Sequence, residues 1–414
     1  MKFSKRWMPA IIAPAVIAAG AIAVPLQANA VDLPDLSPQE VMLLMEGDVT
    51  GFSGTIVKTS DLGLPPLEMS SMMDEEMIKE MEEKMPEGFA EFIPQLIEQN
   101  VFTQAIELIA GTHTFRVYAS DQGMRVQVLD PMSQRDLIIN ENEMWIYNAR
   151  EATAQRAKFD FEVSDLEREE AEAMVRRQLE WYAAELQVDL SNPEAVADYL
   201  MSMVSEDTEV SVGKDHLVAG RTAYQLIAQP KAANSVIESV VISVDSETGM
   251  ALRVEVFSIE KDTAVFEVGF ESISFQAPDS ALFSFTPPQG TTVTELELPA
   301  ELEAELEGLR NEYEANKPSA AELEAKKAEL EARYADQPMP QMIGEGWESV
   351  LYLPAIPNEV PVAMLENELF ADLMETVSMG KVFSTPVMNV LVTDSGEVYA
   401  GAVTIEYLLE VAAR

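Results

Sequence analysis

His113 and His216 are the only histidines in the 414-residue chain, and cysteine is absent. Each histidine lies in a stretch that alternates like a strand, with no second histidine beside it. Spacing alone leaves a metal site or a Ser-His-Asp arrangement open, and the pattern favours two plain strand histidines over either. Lack of thiols removes thiolate catalysis, cysteine zinc sites and lipid attachment through cysteine. With 72 acidic residues against 27 basic ones, close carboxylate pairs follow from composition alone. No Gly-rich phosphate loop or EF-hand loop occurs, and Asp394-Ser395-Gly396 reads as a hairpin turn. The expectation is a non-enzyme with no metal and no cofactor.

Apolar surface is what remains to do chemistry. Strand alternation puts Phe115, Val117, Met124, Val126, Val128, Ile237, Val241, Leu252, Val254, Val256, Phe266, Val268 and Phe270 on one face of a sheet. Such a face must be covered, and these residues apart from Phe270 are the candidate lining of a hydrophobic site. Met73, Met77, Met81 and Met85 lie in a stretch of helical character from Leu67 to Ala110 and are the candidate lid. Methionine is flexible and polarisable, which suits re-packing around acyl chains. Periodicity alone favours the plainer role of filling a core.

The elements that would position these residues begin after an export signal. Lys2, Lys5 and Arg6 precede the mostly apolar run Met8 to Leu26, and Ala28-Asn29-Ala30 has the form of a cleavage site. A retained anchor is the rival reading, but Pro9, Pro14 and Pro25 interrupt the run. Net charge is −45 for the chain, which disfavours nucleic acid and bare anionic membrane as partners.

Ser37-Pro38-Gln39-Glu40 predicts a capped helix reaching about Gly47, with Val41, Leu44 and Met45 on one face. Strands are expected over Gly51–Thr59, Thr112–Ala119, Met124–Leu129, Arg135–Ile139, Met144–Asn148 and Thr153–Phe159. A second helical block runs from Ser164 to about Val204. Strands then return at Glu209–Val218, Thr222–Gln229, Val236–Asp245, Leu252–Ile259 and Ala264–Phe275. The turns between most neighbours are too short for crossovers, so antiparallel pairing is expected. Glu295 to Asp336 reads as an acidic helical hairpin or linker, with Leu302, Leu306, Leu309 and Tyr313 in a four-three-four rhythm. Short strands follow around Ser349–Leu353, Val387–Thr393 and Val398–Thr404.

Several segments resemble the actinobacterial branch of the LolA-like outer-membrane lipoprotein carriers, whose barrel is similar to that of RseB/MucB-type sigma-factor regulators. They are Gly51-Phe52-Ser53-Gly54-Thr55, Arg125-Val126-Gln127-Val128-Leu129-Asp130, Trp145-Ile146-Tyr147-Asn148 and Val218-Ala219-Gly220-Arg221-Thr222-Ala223-Tyr224. Further on come Val244-Asp245 with Thr248-Gly249 and Leu252-Arg253-Val254, then Phe283-Ser284-Phe285-Thr286-Pro287-Pro288 with Gly290. The resemblance covers roughly Pro34 to Val293, and Thr385 to Ala402 is similar to the tail of that branch. The Leu67 to Ala110 segment is longer than the family's usual connection, and the acidic hairpin is not part of its pattern.

The resemblance implies a half-open barrel of eleven strands closed by helices over a cavity for acyl chains. The fold expected is therefore α+β: a half-open antiparallel β-barrel of about eleven strands covered by helices, an acidic helical hairpin and a small C-terminal α/β extension. The expected division is a signal peptide over 1–30, a lipid-binding half-barrel over 31–294, the hairpin over 295–336 and the extension over 337–414. The function expected is an exported carrier or chaperone for lipoprotein acyl chains or lipid, in a periplasm-like space or at the outer face of the membrane. The alternative is an envelope-stress regulator that holds a membrane partner, such as an anti-sigma factor, through its C-terminal region.

Overall fold

The computed structural model describes residues 33–45, 47, 49–63, 111–130, 133–158, 206–296, 341–354 and 374–414. The signal segment, the methionine-rich stretch with Met73, Met77, Met81 and Met85, the Ser164–Val204 block and the hairpin beyond Leu296 lie outside the described residues. Two units are formed, one by the described residues up to 62 with 111–233 and 237–296, the other by 234–236 with the described residues from 341 to 414.

In the first unit helix α1 (Pro38–Leu44) opens the described chain. The Ser37 hydroxyl accepts from the Glu40 backbone N–H while the Glu40 carboxylate accepts from Ser37, the expected capping box. The helix stops at Leu44 rather than Gly47, and Val41 is fully buried against Tyr224, Leu226 and Val244.

Thirteen strands form one sheet. They are β1 (Gly51–Ser60), β2 (Gly111–Ser120), β3 (Gly123–Asp130), β4 (Ser133–Asn140), β5 (Glu143–Asn148), β6 (Thr153–Lys158), β7 (Thr208–Val212) and β8 (His216–Val218). After them come β9 (Arg221–Pro230), β10 (Ile237–Asp245), β11 (Ala251–Ser258), β12 (Phe266–Ser274) and β13 (Thr292–Glu295). The order across the sheet is β13-β6-β5-β4-β3-β2-β1-β12-β11-β10-β9-β7, with β8 also on β9. Two antiparallel meanders thus meet at β1, which lies between β2 and β12 in the middle of the sheet. The ladder is open at β13 and at β7, so the described strands form no closed barrel.

Three sequence expectations change here. The single strand over Glu209–Val218 is two strands, because Val212 pairs with Leu226 and His216 with Ala223. Four residues on one side span three on the other, a bulge that reverses the alternation and puts His216 and Val212 out of phase. Pairing is not wholly antiparallel either: β13 runs parallel to β6. The chain after β12 is pinned to β3–β5 by buried Phe283, by Asn140 Nδ2 donating to the Phe283 carbonyl (2.9 Å) and by Phe285 packing on Trp145 and Tyr147. It reaches β6 from that path in the same direction. Lastly, Glu295 ends this strand and does not begin a helix.

The second unit is a six-stranded antiparallel sheet of β14 (Gln341–Ile343), β15 (Val350–Leu353), β16 (Met374–Val377), β17 (Gly380–Thr385), β18 (Met388–Thr393) and β19 (Val398–Gly401). Its order is β14-β15-β19-β18-β17-β16. Helix α2 (Ile405–Ala412), capped by the Thr404 hydroxyl, lays Leu408 and Val411 on Val350, Val382, Leu391 and Tyr399. No helix among the described residues is long and apolar enough to cross a membrane.

Candidate ligand-binding face

Residues directly opposite each other in an antiparallel ladder point to the same side of the sheet. Phe115 is opposite Val128 on one side and Ile56 on the other, and Ile56 is opposite Phe270. A second row joins Val126, Val117 and Gly54; a third joins Met124, Ala119 and Phe52. Beyond β1, His113, Lys58, Val268, Val254, Ile242 and Leu226 form one row, and Ser60, Phe266, Val256, Val240 and Ala228 the next.

Ten of the predicted lining residues therefore share one face: Phe115, Val117, Met124, Val126, Val128, Leu252, Val254, Val256, Phe266 and Val268. Phe115, Val117, Leu252 and Val268 belong to one buried cluster with Phe52, Ile56 and Phe270. Met124, Val126, Val128, Val254 and Phe266 are half-buried against it. Phe52 meets Phe270 edge-on at 5.9 Å, the geometry that ring quadrupoles favour.

Val241 does not belong there. It is opposite Glu255, which is opposite Glu267, so all three lie on the other face. Ile237 pairs with Ser258 across a register irregularity between Ile237 and Ser239. Both are buried.

The other face is mixed, with Val57, Ile138 and Val241 buried among charged side chains. Over β10–β12 it carries Ser243, Arg253, Glu255 and Glu267, with Arg253 3.3 Å from Glu267. Burial pushes the Glu255 carboxyl up, Arg253 opposes this and Glu267 adds to it. Over β3–β4 it carries Arg125 in an ion pair with buried Asp136, which also accepts from Gln127 and Gln134. Trp145, Tyr147 and Phe285 close that side.

Sequence reasoning overlooked Lys58. It has no exposed surface, its ammonium lies 5.8 Å from the Phe266 ring centre, and burial lowers its pKa to about 8. The signal was present in β1, where Phe52, Gly54, Ile56 and Lys58 share a phase.

A cleft of about 620 Å³ lies at the β7–β8 break, lined by Leu36, Lys214, Asp215, His216 and Tyr224 among others. His216 Nε2 is 3.0 Å from Ser243 Oγ, a serine–histidine contact that invites a hydrolase reading. Ser243 has no exposed surface, however, and the buried His216 Nδ1 has no hydrogen-bond partner. Burial and nearby Arg253 hold the His216 pKa down, and the ring is bonded to a core serine.

No protein-family model matches the sequence, and a search of curated proteins finds no match. Among solved structures, the Pseudomonas aeruginosa MucA/MucB complex is similar at 11% identity over 91% of this chain and 96% of that one, with a TM-score of 0.36. A LolA superfamily protein from Nitrosomonas europaea is similar at 6% identity over 61% and 99%, with a TM-score of 0.20. A putative outer membrane lipoprotein-sorting protein domain from Vibrio parahaemolyticus follows at 13% identity over 57% and 90%, with a TM-score of 0.18. Likeness at this level carries no functional weight; the register of the sheet does.

Proposed function

We propose that the protein is an exported carrier or chaperone that holds a hydrophobic ligand, the acyl chains of a lipoprotein or a lipid, against the apolar face of a half-open barrel. The observation that supports this is the run of apolar residues, in register across strands from β3 to β9, on one face of a sheet whose other face mixes charged and apolar side chains. Burial of a chain methylene there contributes about 0.8 kcal/mol. The helical lid with Met73, Met77, Met81 and Met85 belongs to the same reading, as do the signal segment, the hairpin and the C-terminal extension as separate parts. Binding without catalysis fits a site whose chemistry is apolar contact.

Native mass spectrometry with lipid extraction, on protein purified from its host's envelope, tests the reading. An acyl species should accompany the wild type and be lost from a folded variant carrying Val254→Asp and Phe266→Lys. A clean mass that stays unchanged when lipids or lipopeptides are added would sink it.

The second unit supports an alternative, because it has a core of its own and a separate face. There Met342, Leu351, Ala400, Val390, Phe383 and Met374 lie in one row across all six strands, and Met342 is 63% exposed. On that reading the protein regulates an envelope response by holding a membrane partner, such as an anti-sigma factor. Pull-down from membranes with and without residues 297–414 separates the two; equal recovery of every partner removes the alternative.

A further inference from the structure

We infer that the open edge of β7 is a docking site for an extended basic peptide of a partner protein, which adds to the sheet as a further strand through Val210 and Val212. The bonds it makes there are backbone bonds, and they do not depend on what the apolar face carries.

Parity in the ladder singles out these two residues. The Gly213 N–H donates to the Gln225 carbonyl at 2.8 Å, and the Lys231 N–H donates to the Asp207 carbonyl at 2.8 Å. The pairs between β7 and β9 that exchange hydrogen bonds therefore fall at the odd-numbered residues of β7, and the N–H and C=O groups of Val210 and Val212 point off the sheet. β7 ends the ladder, and among the described residues neither valine has a backbone partner on that side. An edge of this kind is a template for an added strand. A peptide running antiparallel to β7 exchanges two bonds with each valine.

Side chains set the sequence that fits. Val212 ends the row Val268, Val254, Ile242 and Leu226, and Val210 ends the row Phe266, Val256, Val240 and Ala228. Two apolar rows thus run off the edge at the two positions where the added strand pairs, and both valines are half-buried. Apolar residues opposite them continue the rows. The peptide residue between these two turns to the other side of the sheet. There Glu209 is exposed, so a lysine or arginine suits that position.

Charge around the edge makes the same choice. Glu206, Asp207 and Glu209 lie on or beside β7, and Asp35 and Asp215 line the cleft at its end; the cations nearby are Lys214 and Lys231. An antiparallel peptide enters from the Gly213 end, so its N-terminal side lies at that cleft, against Asp35, Asp215 and Gln225. Over longer distances a net charge of −45 attracts a cationic partner and repels an acidic one.

Fluorescence anisotropy with the full chain tests this, the probe being a labelled octapeptide of alternating valine and lysine. Methylating its valine amides removes the donors that pair with β7, whereas methylating its lysine amides leaves them in place. The parent and the lysine-methylated peptide should bind, and the valine-methylated one at least tenfold more weakly. A peptide with glutamate in place of lysine should lose at least as much, and the parent should weaken as salt rises from about 0.1 M to about 1 M. Proline is tolerated on an edge strand where its missing N–H faces outward, so Val212→Pro should fold and lose binding at least tenfold. Equal affinity of the two methylated peptides, or binding that survives in folded Val212→Pro, overturns the strand addition. A glutamate peptide that binds as well as the parent overturns the choice of a basic partner. No binding by any peptide overturns the proposal as a whole, and self-association that Val212→Pro abolishes would then name a second copy as the occupant. If Val212→Pro fails to fold, the two methylated peptides still decide the matter.

Discussion

Asp245 is fully buried yet meets four donor groups around its carboxylate. Arg221 donates from Nε and Nη2, and the Glu247 and Thr248 backbones donate at 3.1 and 2.8 Å. The Thr248 hydroxyl adds a further bond at 2.9 Å. Burial pushes the Asp245 carboxyl up, but the bonds from Arg221 and Thr248 together hold it below the usual range. A carboxyl whose pKa is depressed by folding stabilises the fold above its unfolded value, and that stability is lost as pH falls through the folded value. Arg221 keeps its ion pair with Glu247 when Asp245 is removed, but the buried backbone and hydroxyl donors lose their acceptor. Asp245→Ala should therefore cost about 1–3 kcal/mol near pH 7. Denaturant unfolding of wild type and Asp245→Asn at pH 7 and pH 3 should show their difference shrinking at the lower pH; a constant gap would disprove the assignment.

At the scale of elements, that network is the base of the β10–β11 turn, and helix α1 packs on the turn backbone to backbone. Gly249 has φ +72°, and a Cβ there would stand 1.6 Å from the Leu44 carbonyl oxygen. Gly290 is also left-handed, φ +92°, but a Cβ there meets nothing within 4 Å. Alanine at either position carries the left-handed penalty of about 1–2 kcal/mol. At position 249 it must also push α1 away from the turn. The midpoint of denaturant unfolding should fall clearly further for Gly249→Ala than for Gly290→Ala, and equal losses would mean that helix and turn do not touch in solution. The family-like segment Val218 to Tyr224 has an equally local reason: Ala219 and Gly220, at φ 52° and 77°, are the two left-handed residues of the β8–β9 hairpin.

For the whole molecule, a net charge of −45 means that compaction brings like charges together. Salt screens that repulsion, with a Debye length of about 10 Å at 0.1 M and about 3 Å at 1 M. Melting temperature should rise as sodium chloride is increased across that range. A fall would show that the ion pairs of Arg125, Arg221 and Arg253 outweigh the general repulsion.

What the sequence by itself determined is whatever is local. Alternation and turn residues located the strands from β1 to β6 and β9 to β12, because period-two burial and the demands of a tight turn are written in neighbouring residues. The capping box of α1 and the Asp394-Ser395-Gly396 turn were legible for the same reason. Alternation also divides each strand into two faces, but it does not say which face of one strand matches which face of the next. Only the hydrogen-bonded register decides that. It placed ten predicted residues together, moved Val241 across to Glu255, and split the Glu209–Val218 strand at a bulge. It also put Lys58, buried, among apolar side chains from β2, β12 and β11 that are remote in sequence. The parallel pairing of β13 likewise depends on Phe283 and Phe285 finding strands more than a hundred residues upstream. Such long-range phase and pairing arise from tertiary packing, which no local pattern encodes.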